Sequence, residues 1–168
     1  MINECVKFIL EDIKKNVKPM SVEEKIKKYY KILKKAGPVD GGNCAMAAIA
    51  IGQFLYERDI VVSLLFSTPE IDEEKDTIED KLMEQEIELQ HVVIEYKNKL
   101  FDGTGPTNKN KLIAIGKTQY DKIPNFYSYM FSHNNLKDFE KIAVSNTNYN
   151  IHWRTFYKFL RESENGLS

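Results

Sequence analysis

The chain has 168 residues, 42% of them apolar and 29% charged, which is ordinary for a globular protein and long enough for one real core. A net charge of −1 does not select a polyanion, so nucleic acid is not an expected partner. No run approaches the roughly 18 apolar residues of a membrane span, so no membrane partner is expected either. Two cysteines and three histidines without paired spacing make neither a disulfide framework nor a structural zinc site. No cofactor or metal is expected, and a reducing cytoplasm is the expected compartment.

Charge is distributed unevenly. Residues 1–36 carry a net +5, residues 70–88 a net −8 and residues 107–168 a net +4, so opposite charge sits on separate segments. Residues 2–17 place Ile2, Val6, Ile9, Leu10, Ile13 and Val17 on one helical face, with Cys5 at its border. Acidic residues in that stretch argue against a signal peptide. Pro19 ends it. Ser21 and Glu24 then form a capping box, and Val22, Ile26, Tyr29, Tyr30, Ile32 and Leu33 follow at helical spacing. The outer face of this second helix carries Lys25, Lys27, Lys28, Lys31, Lys34 and Lys35, either as a solvated surface or as a patch for an acidic partner.

Ala36-Gly37-Pro38 stops that helix, and Asp40-Gly41-Gly42-Asn43 leads into Cys44. Ala45, Ala47, Ala48, Ala50 and Gly52 alternate with Met46, Ile49, Ile51, Phe54 and Leu55, so apolar or small residues surround the axis and predict a buried helix. Asn43 is the expected N-cap, with Cys44 at the first helical position. A thiol there feels the positive end of the helix dipole, which favours thiolate. The glycines before it leave room for other groups, substrate backbone among them, to approach.

Residues 60–67 read as a buried strand. The acidic stretch that follows reads as a surface loop with a short helix, or as a flap beside an active site. Alternation in His91–Tyr96 gives a second strand, Lys97-Asn98 a two-residue turn, and Leu100-Phe101-Asp102 a third strand. That register pairs Tyr96 with Lys99 and Ile94 with Phe101, and sets Asp102 diagonally beside His91 on one face. Lys111–Ile115 suggests a further strand, and the aromatic segment from Thr118 to His133 a turn followed by a short helix. Residues 135–143 and 148–161 read as closing helices, with Ile151, Phe156, Phe159 and Leu160 as the buried stripe of the last. No repeat or linker divides the chain, so residues 1–168 read as one domain.

Cys44 at a helix start, His91 on a strand and Asp102 on the next are the three groups that thiol attack on an acyl carbon requires: nucleophile, base and orienting acid. The Cys44 backbone N–H is the expected first oxyanion donor, with the Asn43 or Gln90 amide as the second, and Gly42 clears space for substrate.

Gly42-Asn43-Cys44 with Ala48, then His91-Val92-Val93-Ile94-Glu95, then Leu100-Phe101-Asp102-Gly103-Thr104-Gly105 together resemble the papain-like cysteine hydrolases, and more closely their transglutaminase-like branch. The resemblance spans residues 40–106. The tryptophans common around that family's helix and histidine strand are missing here, and no glutamine precedes Cys44. The resemblance implies an α+β papain/transglutaminase-like fold: a central buried helix on a small antiparallel sheet, with added N- and C-terminal helices. It implies hydrolysis of amide or peptide bonds through a thioester, on a peptide or protein substrate, by a bacterial or phage accessory protein. Two other functions fit the same residues. One is acyl transfer of the transglutaminase type on the same triad; the other is a non-catalytic interaction protein using the acidic segment 70–88.

Overall fold

The computed structural model describes residues 18–68, 89–121 and 123–166. The helix expected over 2–17, with Cys5, and the acidic segment 70–88 lie outside the described residues. Helix α1, Val22–Ala36, begins on the capping box read from the sequence: Ser21 Oγ accepts from Glu24 N–H, and Glu24 Oε2 accepts from Ser21 N–H at 2.7 Å. Its buried face is Ile26, Tyr29, Tyr30 and Leu33, and Gly37 closes its C-terminus. A 3₁₀ turn, Gly41–Asn43, runs into α2, Cys44–Tyr56. Every residue of α2 from Cys44 to Leu55 is buried, as its all-round apolar sequence predicts. At Gly52 an added Cβ would lie 2.7 Å from the Phe131 ring, so the glycine lets that aromatic seat against the helix. Phe131 in turn stacks on Phe139 at 5.5 Å.

Five antiparallel strands form one sheet in the order β4-β3-β2-β1-β5. They are β1 (Ser63–Thr68), β2 (His91–Tyr96), β3 (Lys99–Asp102), β4 (Gly105–Thr107) and β5 (Asn125–Met130). The β2–β3 hairpin turns on Lys97 (φ +49°) and Asn98 (φ +60°), both left-handed, and pairs Tyr96 with Lys99 and Ile94 with Phe101 as expected. Val92, Ile94, Leu64, Phe66 and Phe101 face the core built around α2. Leu65, Val93 and Leu100 face a smaller cluster closed by Leu112.

Two expectations are corrected. Lys111–Ile115 is not a strand but lies inside helix α3, Lys109–Tyr120, whose N-cap Asn108 accepts from Lys111 N–H at 3.0 Å. The aromatic segment is not a helix: its centre is strand β5, which supplies β1 with its second partner from Ser63–Met130 to Thr68–Asn125. Tyr127 and Tyr129 pack on the main core while Phe126 packs on the smaller cluster, a period of two. Helices α4, Leu136–Asn146, and α5, Trp153–Glu164, close the fold against α2, and Trp153, Phe156 and Leu160 are buried. The start of α5 is later than expected because His152 is its N-cap, accepting from Arg154 N–H through Nδ1 at 3.3 Å. No helix among the described residues is long and apolar enough to cross a membrane. The architecture is therefore mixed α+β, with a buried central helix against an antiparallel sheet.

Candidate active site

The turn before Cys44 is held by residues far away in the chain. Asn43 occupies the N-cap position, but its side chain does not cap α2. Its Nδ2 donates to Pro38 O at 3.0 Å, and its Oδ1 accepts from Asn150 N–H at 2.8 Å and Ile151 N–H at 3.1 Å. The amide named as an oxyanion candidate thus serves as a buried strap between two loops. Gly42 lies against the same loop: a Cβ there would sit 1.8 Å from Asn148 O. The space that glycine leaves is filled by this chain's own backbone rather than left open. The Cys44 N–H, the expected oxyanion donor, donates to Gly41 O and closes the 3₁₀ turn. Gly41 itself is left-handed, with φ +57°, which explains a glycine at that position.

The other half of the site comes from one hairpin. His91 opens β2 and Asp102 ends β3, so both stand at the same end of the sheet. His91 Nε2 and Asp102 Oδ2 are 3.4 Å apart, the diagonal neighbourhood that the hairpin register predicts. The spacing is long for a hydrogen bond and typical of a resting site. Asp102 Oδ1 is fixed by Thr104, which donates from its backbone N–H at 2.7 Å and its hydroxyl at 2.6 Å. The Cys44 side chain is the ring's other polar neighbour.

Electrostatics follow from this arrangement. Burial disfavours charge on His91, but the Asp102 and Cys44 contacts outweigh it and raise the imidazole from 6.5 to about 10. Burial likewise opposes charge on Asp102, yet His91 and the two Thr104 donors hold its carboxyl below the usual value of 3.8. The His91 contribution to stability is thus complete below 6.5 and lost as pH rises through about 10. The Asp102 contribution is present above 3.8 and lost as pH falls through its lowered value. Both are present at neutral pH. Tyr30 also belongs to the site. It reaches in from α1 buried, and burial first, then the electrostatic influence of Asp102 and Cys44, pushes its phenol well above its ordinary value. Its hydroxyl has only a long contact, 3.5 Å, to Phe101 O. Helical spacing marks Tyr30 as core, and nothing local in the sequence marks it as a neighbour of the site.

Cys44 is 4% exposed and Asp102 5%, so the centre is nearly closed to water. Gln90, immediately before His91, is 6% exposed. Its backbone N–H donates to Ser67 O at 2.8 Å, and its carbonyl accepts from the Tyr120 hydroxyl at 3.3 Å. Its side-chain Nε2 and Oε1 are both buried without a hydrogen-bond partner. A groove of about 530 Å³ lies elsewhere, between Glu23, Lys27, Lys99 and Lys109, and none of the three triad candidates lines it. Among the described residues no group of three or more His, Cys, Asp or Glu is placed to hold a metal. No family model, curated protein or solved structure matches the chain.

Proposed function

We propose that the protein is a cysteine hydrolase of amide or peptide bonds with a papain/transglutaminase-like arrangement of Cys44, His91 and Asp102. The observation that carries this reading is the His91 ring held between the Asp102 carboxylate and the Cys44 side chain at the start of a buried helix. Surface ion pairs of ordinary structural kind do not need a cysteine as the third member. The raised proton affinity of His91 favours imidazolium in the site, the form that can donate a proton to a leaving amine.

In the acylation step the Cys44 sulfur forms a bond to the substrate carbonyl carbon, and the C–N bond then breaks. His91 gives its proton to the departing amine, leaving a thioester and a neutral imidazole. Water attacks the thioester carbonyl, His91 takes the proton, and the sulfur leaves with its electron pair. Asp102 holds the ring orientation and stabilises the imidazolium throughout. Thr104 keeps the carboxylate from turning away.

The test is site-specific labelling joined to turnover. Iodoacetamide is expected to modify Cys44 faster than it modifies free glutathione, and Cys44→Ala and His91→Ala are each expected to abolish release of amine from a fluorogenic peptide mixture. Hydrolysis that persists in Cys44→Ala contradicts the assignment. Product partitioning that shifts toward an added amine moves the reading to acyl transfer on the same three residues.

A further inference from the structure

The two edges of the sheet are built differently. One edge, β4, is three residues long and has Pro106, which lacks an N–H, at its centre. So short a strand, interrupted by proline, does not template another chain. The other edge, β5, runs for six residues, Asn125–Met130, and holds neither proline nor a charged side chain. Each of its residues has one partner on β1, so no bulge turns this edge away.

Two hydrogen bonds fix which way its backbone groups point. Phe131 N–H donates to Val62 O at 2.8 Å, one step beyond the Ser63–Met130 pair. Towards the other end of the strand, Ser67 O, opposite Phe126, accepts from Gln90 N–H at 2.8 Å and so is turned to the β2 side. Antiparallel partners alternate between bonded and non-bonded pairs, and both observations give the same phase. Tyr127 and Tyr129 bond to β1, while the N–H and C=O of Phe126, Ser128 and Met130 point out of the sheet edge. Met130 O accepts from Asn135 Nδ2 at 2.6 Å. No hydrogen bond from another described residue reaches the outward backbone groups of Phe126 or Ser128. Ser128 is exposed, and Met130 and Ile123, at 65% and 62%, are the most exposed large apolar side chains among the described residues.

We propose that this edge pairs with a second copy of itself, β5 to β5, antiparallel about a two-fold axis at Ser128. The outward groups at 126, 128 and 130 are symmetric about Ser128, so Ser128 bonds to the partner's Ser128, and Phe126 to the partner's Met130. On one face exposed Met130 meets the partner's Phe126, and on the other Tyr127 meets the partner's Tyr129, pairs that favour strand association. Charge selects the same occupant: an uncharged strand matches its own copy, whereas an acidic or basic peptide finds no counter-charge on β5. The inference goes beyond the hydrolase reading and does not depend on it.

Sedimentation equilibrium of the full chain, from about 1 µM to about 1 mM, is expected to show a monomer–dimer equilibrium. Ser128→Ala keeps the N–H and is expected to dimerise as wild type does. Ser128→Pro removes the N–H at the axis and is expected to stay monomeric throughout. Its urea midpoint should lie close to that of Ser128→Ala, because this N–H pairs with nothing inside the fold. Met130→Lys alters a side chain that is already exposed and is expected to weaken dimerisation about tenfold. Crosslinking checks the register. In a Cys5→Ser, Cys44→Ala background, Ser128→Cys sets two thiols opposite each other at a Cα separation of about 5.5 Å, within disulfide reach. Oxidised glutathione is expected to link that variant into a dimer faster than Lys35→Cys, placed on α1, the helix that packs on β3 and β4. A chain that stays monomeric at every concentration, including one whose β5 edge takes an added extended peptide instead, overturns the proposal. So does a dimer that survives both Ser128→Pro and Met130→Lys.

Discussion

The two halves of the site are held in opposite ways. His91 and Asp102 are set by a hairpin whose turn, register and Thr104 brace all lie within fourteen consecutive residues, 91–104. Cys44 is set by a turn whose supports come from Pro38 and from residues 148–151, more than a hundred positions away. A local device forms as soon as its own segment folds, whereas a distant strap forms only when the whole chain has closed. His91 and Asp102 are therefore robust to changes elsewhere, and Cys44 is coupled to the global fold.

The largest expected effect breaks the distant half. Gly42→Ala pushes a Cβ into the Asn148 carbonyl, which is backbone and cannot turn aside, and should cost about 3 kcal/mol in urea unfolding. Asn43→Ala removes the buried acceptor shared by Asn150 and Ile151 and should cost about 2 kcal/mol. Cys44 alkylation should slow in the same variant, because the strap and the cysteine are adjacent. The smallest effect sharpens the local half. Thr104→Val keeps the backbone donor to Asp102 and loses only the hydroxyl, for about 1 kcal/mol. Its unfolding midpoint should shift little while the Asp102 carboxyl titration, followed by NMR, moves up toward the ordinary value of 3.8. A Thr104→Val cost equal to that of Gly42→Ala would remove the distinction between the two halves.

The same contrast decides what the sequence discloses. The hairpin was legible because alternation and a Lys97-Asn98 turn fix the register without help from elsewhere. The buried helix was legible from its composition, and α1 from its capping box. The roles of Asn43 and Gly42 were not, because their partners come from a loop with no local signal at either end. A good N-cap residue used its side chain on a longer-range contact instead. Residues 109–130 failed for a related reason. Leu112, Ile113 and Ile115 look like a short strand until the Asn108 cap is weighed, and β5 is recognisable only once β1 needs a second neighbour. Tyr30 was legible as core but not as a side chain beside Asp102 and Cys44.

Whether Cys44, His91 and Asp102 act as one unit is decided by the pH dependence of Cys44 alkylation in the wild-type protein and in Asp102→Asn. The wild-type profile should break near 10, where His91 gives up its proton, and in Asp102→Asn the break should move down toward the ordinary histidine value of 6.5. Profiles that coincide in the two proteins would contradict the account.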